Sequence, residues 1–142
     1  MSSYLETMYR AIGFQRVILA LLDRKSGEMA GRLGFGDGAD EFATLFRFPT
    51  AYSVDVFHGA LKNAVDVYIG DMTEKKIQAD IPSWYKNISK AGSFILFPLV
   101  VNKRPVGLIY ADHSSPHGLV IDKKRLNLLK SLRNQIVLAV KP

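Results

Sequence analysis

The sequence contains no cysteine among its 142 residues. That absence excludes disulfides, Cys-ligated zinc, iron–sulfur clusters and thiol catalysis. It also lacks any apolar run of about 18 residues, the length a helix needs to cross a bilayer, so no membrane partner is expected. The opening Met1-Ser2-Ser3-Tyr4-Leu5-Glu6 is acid-containing and amphipathic rather than a charged tip before an apolar core. It does not read as a signal peptide, and the expected location is the cytoplasm. Positive charge is in excess, with 19 Lys+Arg against 13 Asp+Glu and a net charge of +6, but it is not concentrated. Acids interleave the basic residues everywhere except Lys123-Lys124-Arg125. A nucleic-acid surface gathers its charge with exposed aromatics between, so no nucleic acid partner is expected. Apolar residues are 48% and charged residues 23%, as in a folded domain, and the length suits one domain over 1–142.

What is there is a succession of short elements. Tyr4, Leu5, Met8, Ala11 and Ile12 recur at three- and four-residue steps, which predicts a helix over about 2–12 that Gly13 ends. The run 15–22 is apolar on both faces and too short for a buried helix, so it reads as a central strand covered on both sides. Gly27 supplies a positive φ for the turn into a second strand over 28–35. Gly34 to Gly38 reads as a flexible loop, with a turn of helix over 39–45 and a short strand to Phe48. The stripe Val54, Phe57, Leu61 and Ala64 predicts a helix capped by Ser53. A strand over 65–69 ends at Gly70-Asp71. Residues 72–92 read as a long, partly helical excursion. Ser93 to Val101 is again apolar on both faces. It turns at Asn102-Lys103 into a strand over 105–112, which places Ile95, Phe97 and Leu99 on one face with Val106, Leu108 and Tyr110. Asp122 caps a closing helix over about 123–140, with its stripe at Leu126, Leu129, Leu132, Ile136 and Val140. Leu128, Val137 and Ala139 fall off that stripe.

Four segments in this order carry a resemblance: Gly13-Phe14-Gln15-Arg16-Val17; Tyr68-Ile69-Gly70-Asp71; the hairpin from Phe97-Pro98-Leu99 to Gly107-Leu108-Ile109-Tyr110-Ala111-Asp112; and Arg133-Asn134-Gln135. Over roughly the whole chain the sequence resembles a GAF domain, the small-molecule-sensing module related to PAS domains. Arg16-Val17 and Ile81-Pro82-Ser83-Trp84 make it most similar to the type that bacterial signalling proteins append to an HDOD domain. The resemblance implies an α+β fold with a central, largely antiparallel sheet of five or six strands. Terminal helices cover one face, and a helix plus loops cap the other. It also implies a sensory or regulatory module within a longer protein, and end helices that pair across a two-fold axis. The N-K-x(n)-F-x3-D-E signature of cyclic-nucleotide binders is absent, Asn102-Lys103 lying in the hairpin turn. Bilin attachment and the free-methionine-sulfoxide reductases of this fold need a cysteine. An unassigned ligand, or none, remains.

The candidate ligand site follows from the family pocket and the residues near it. Its expected walls are Phe46, Phe57, Leu61, Tyr68, Trp84 and Phe97, with Asp71 or Arg47 as polar anchor. Trp84, the single tryptophan, is either a peg that holds the excursion down or a ring that stacks on a ligand. Asp71 is either a turn residue or a carboxylate at the pocket mouth. His113 and His117 flank Ser-Ser-Pro and read as loop histidines; no metal and no cofactor is expected. No nucleophile–base pair can be assembled. The reading is therefore a non-enzymatic sensory domain, with a structural dimerisation module or a small enzyme as alternatives. Its expected partners are an unknown small molecule, a second copy bound through the terminal helices, and other domains of a parent protein.

Overall fold

The computed structural model describes residues 2–141. Its elements in chain order are α1 (Ser2–Ile12), β1 (Arg16–Asp23), β2 (Glu28–Gly36), α2 (Ala39–Leu45), β3 (Arg47–Pro49), α3 (Val56–Asn63), β4 (Val67–Ile69), α4 (Lys75–Gln78), α5 (Ser83–Ile88), β5 (Ser93–Val101), β6 (Arg104–His113) and α6 (Lys123–Val140). The six strands form one antiparallel sheet in the order β3-β2-β1-β6-β5-β4. This is the expected α+β architecture, with the doubly apolar 16–23 strand at the centre. Among the described residues no helix is long and apolar enough to cross a membrane.

Alternation along the strands divides the core into two layers. Val17 and Leu19 of β1 join Leu5, Met8, Leu129, Leu132 and Ile136 beneath α1 and α6, which pack on each other. Ile18 and Ala20 face the other way, toward Phe42 of α2, Phe57 of α3 and Tyr85 of α5.

The hairpin β5–β6 corrects the expected facing. Its turn is the predicted one, with positive φ at both Asn102 (51°) and Lys103 (65°), the type I′ geometry that matches strand twist. A bulge then intervenes, because Val100 pairs with Pro105 but Leu99 pairs with Gly107. The extra residue, Val106, reverses every side chain beyond it. Leu108 and Tyr110 therefore join Phe94 and Leu96 on the α3 side. Ile109 and Ala111 join Ile95, Phe97 and Leu99 beneath the terminal helices.

Three other expectations change. Gly34 and Gly36 belong to β2 rather than to a loop. Ala39 lies so close to Gly34 that only glycine leaves room for α2 there. Val137, expected off the core stripe, packs partly against the terminal-helix layer, whereas Leu128 is 44% exposed. Helix α3 begins two residues late. Val54 is 79% exposed, and the cap is Asp55 rather than Ser53. Asp55 Oδ1 accepts from His58 N at 2.9 Å, while Oδ2 lies 2.8 Å from His58 Nδ1. His58 Nε2 donates to the Pro49 carbonyl at 2.7 Å, which ties the cap to β3. Asp55→Ala is expected to cost about 1 kcal/mol or more in urea unfolding, as a lost N-cap does. Ser53→Ala should leave the midpoint where it is.

Candidate functional site

The structure does not gather the expected pocket residues around one cavity. Phe46, Phe57 and Trp84 do come together, with ring centroids 4.9–6.1 Å apart. Phe46 and Phe57 are wholly buried, and Leu61 belongs to the same layer. Phe48, Tyr85, Phe94 and Tyr110 fill the remaining space between the sheet and α3, so these rings pack on each other rather than around a cavity. Phe97 lies on the opposite face, beneath α6, with the Arg133 guanidinium 5.9 Å from its ring; it is not a wall of this region. Arg47 is exposed and pairs with Glu28 at 3.1 Å. Tyr68 stands on the edge strand β4 and donates to the Leu119 carbonyl at 3.2 Å.

Asp71 serves its own turn. Its Oδ1 accepts from Thr73 Oγ1 at 2.6 Å and Thr73 N at 2.8 Å, and these bonds hold its carboxyl below the usual range. His117 stands 3.7 Å away in the 114–121 connection, and His113 Nδ1 accepts from Ser115 N.

Polar chemistry inside the domain gathers elsewhere, at the start of β1 and the end of β6. Arg16 and Asp112 face each other directly in the β1–β6 register. Arg16 donates to Asp112 Oδ2 from Nε at 3.1 Å and from Nη2 at 2.7 Å, and its guanidinium lies 3.8 Å from the centre of the Phe42 ring. Burial opposes the charge on Arg16, but the hydrogen bond and the negative charge of Asp112 outweigh it and raise its pKa. Tyr110 OH donates to the same Oδ2 at 2.6 Å. Because that uses the only Tyr110 proton, Tyr85 OH must be the donor in the 2.7 Å contact between the phenols. Ser89 Oγ then donates to Tyr85 at 3.2 Å, and Ala91 N donates to Ser89 Oγ at 3.1 Å. Every proton in this chain points toward Asp112, an arrangement in which each bond polarises the next.

The pair forms the floor of a groove of about 360 Å³, whose sides are Gln15, Asp37, Ile88, Lys90, Ala91 and Ser114. Sequence reading recognised Asp112 as a strand end and Arg16 only as a family landmark. Their facing positions at opposite ends of β1 and β6 become visible once those strands are paired.

Burial raises the pKa of both Tyr85 and Tyr110, and the neighbouring Asp112 adds to the rise at Tyr110. Unfolded phenols ionise near pH 10. The folded pair holds its protons more tightly, so its contribution to stability is fully present below about pH 10 and is lost as the pH rises above it. Tyr85 and Tyr110 should ionise only on unfolding. Phenolate absorbance followed beside circular dichroism checks this. Tyr110→Phe should flatten the alkaline limb of the stability profile.

No family model and no curated protein matches the sequence. Solved structures do resemble the fold. The GAF domain of an Acinetobacter phosphoenolpyruvate-protein phosphotransferase superposes with a TM-score of 0.75 at 12% identity, covering 96% of this chain and 76% of that one. A GAF domain/HD domain protein from Geobacter sulfurreducens gives 0.74 at 11% identity, covering 98% and 88%. The free methionine-R-sulfoxide reductase of Neisseria meningitidis, solved with its substrate, gives 0.69 at 21% identity, covering 98% and 74%. The sheet order, the two-layered core and these superpositions together establish that the chain has the GAF-domain fold.

Proposed function

We propose that this chain is a non-enzymatic sensory domain that binds a small molecule and passes its state to other domains through α1 and α6. The observation that carries the reading is the polar Arg16–Asp112–Tyr110–Tyr85 chain, which runs from the middle of an otherwise apolar core to an open groove. Buried polar chains cost stability unless every member is satisfied, and one that ends at a groove invites a ligand. Similarity to the GAF domain of a two-component sensor histidine kinase from Bacillus halodurans agrees with this use of the fold. The absence of cysteine stands against the sulfoxide reductase chemistry of another neighbour. The Phe46–Phe57–Trp84 cluster serves as the wall that a larger ligand would have to displace. The domain works in the cytoplasm as part of a longer signalling protein, in which bound ligand favours one arrangement of the terminal helices.

A metabolite library screened by melting temperature tests this. A ligand at one hundred times its Kd should stabilise the domain by about 2.7 kcal/mol. No shift with any nucleotide, amino acid, amide or keto acid would overturn it in favour of a structural dimerisation module. That second reading rests on Tyr4, Leu128 and Leu138, exposed apolar side chains on the two packed end helices. Sedimentation of the wild type against Leu128→Glu decides the pairing: a second copy held there is lost in the variant.

A further inference from the structure

We infer that the groove over the Arg16–Asp112 pair binds an uncharged amide- or ureide-type molecule, whose N–H groups donate to Asp112 Oδ1, and that the Ile88–Ala91 wall responds to it. The inference rests on the sensory reading and gives it a place and a ligand chemistry. All three donors to the Asp112 side chain, Arg16 Nε, Arg16 Nη2 and Tyr110 OH, use Oδ2. Oδ1 has no hydrogen-bond partner among the described residues. Yet the side chain is only 2% exposed, and Trp84 Nε1 is the only side-chain polar atom there that is both sealed and unpartnered. Oδ1 therefore opens to the groove that Asp112 lines. A nearly buried acceptor without a donor is costly to leave unmet.

Charge selects the class of donor. Arg16 cancels Asp112 at the floor, and Lys90 and Asp37 both line the groove, so two cations accompany two carboxylates. An ion entering this groove gives up hydration and meets no net countercharge, whereas a neutral N–H donor gives up far less. Gln15 and Ser114 offer hydrogen bonds to the carbonyl of an amide, and Ile88 and Ala91 offer apolar contact to its body.

The wall is joined to the floor through the interior. Ile88 ends α5, and Ala91 N is the last donor of the chain that runs through Ser89, Tyr85 and Tyr110 to Asp112. A ligand that donates to Oδ1 draws on the same carboxylate, weakens its hold on Tyr110 and loosens each bond behind it. The segment that borders the groove is thus the one that feels its occupation.

Heteronuclear correlation spectra of the full chain, titrated with acetamide and separately with acetate and methylammonium, test this. Acetamide is expected to give saturable shifts at Ser114 and Ala91, which line the groove, and at Ser89 behind it, that do not weaken with added salt. The two ions should bind at least about tenfold more weakly, the equivalent of one net hydrogen bond. Asp112→Asn should weaken acetamide by a similar factor. Tyr85→Phe, which keeps the ring and removes one buried hydroxyl, should retain the Ser114 shift and lose the shift at Ser89, which belongs to the chain and does not line the groove. It carries the test if Asp112→Asn does not fold. Ions that bind as tightly as acetamide, shifts that never saturate, or a Tyr85→Phe protein whose Ser89 responds as before would overturn the inference. A library metabolite whose shifts map to another face would overturn the groove alone and leave the sensory reading standing.

Discussion

Truncation of Phe57 to Ala is expected to lower stability by about 3–5 kcal/mol, the range for a fully buried aromatic side chain. In a domain of this size that is roughly a 10–20 °C fall in Tm. Phe57 is wholly buried at the base of α3, stacked on Phe94 at 5.8 Å and packed on Phe46, Phe48, Trp84 and Tyr85. No smaller set of rings could close over the gap, because each neighbour is itself held by at least one other ring. The measurement also separates two uses of this face. A ring that lines a cavity already has space on one side, so its loss is cheap; a ring at the centre of a filled layer leaves a new void. Urea unfolding and calorimetry on the same variant give the cost, and a value below about 1 kcal/mol would show that Phe57 borders open space.

Loss of Asp112 has a second large effect with a different cause. Asp112→Ala leaves a half-buried guanidinium and a buried phenol without their shared acceptor. Breaking a buried pair from one side costs about 3–5 kcal/mol, and the partial exposure of Arg16 places this case near the lower end. Tyr110→Phe, which removes one donor and no charge, should cost about 1–2 kcal/mol. Replacing both charges together, Arg16→Met with Asp112→Leu, should recover most of the loss, since no ion is then left unpaired. A double-mutant cycle on Arg16 and Asp112 reads the coupling directly. Near-zero coupling would mean that the pair behaves as an exposed surface contact.

The fold was legible in the sequence because its strongest signals are local. Two runs apolar on both faces, 15–22 and 93–101, can sit only inside a sheet, and positive-φ turns at Gly27 and Asn102-Lys103 set their hairpins. What went unread depends on single residues whose effect is not local. The bulged Val106 leaves no mark in composition, yet it moves Leu108 and Tyr110 to the opposite layer. Ser53 and Asp55 are both good cap residues two positions apart, and the contact of His58 with Pro49 decides between them. Aromatic content near the family pocket predicted a lined cavity, but lining and filling use the same residue types. Arg16 and Asp112 are 96 positions apart, and only the pairing of β1 with β6 makes them neighbours.

That pairing has a consequence for how the chain reaches its native state. The two central strands come from opposite ends of the sequence, and α1 packs on α6. During synthesis β1 is therefore made early and waits for its inner neighbour until residue 112 has left the ribosome. Its hairpin with β2 can form at once, but Val17 and Leu19 stay without their covering helix α6 throughout. Such distant contacts slow folding, because a long loop must close before they repay its entropy. The nascent domain folds late in its own synthesis, with its apolar centre open to chaperones until α6 has emerged.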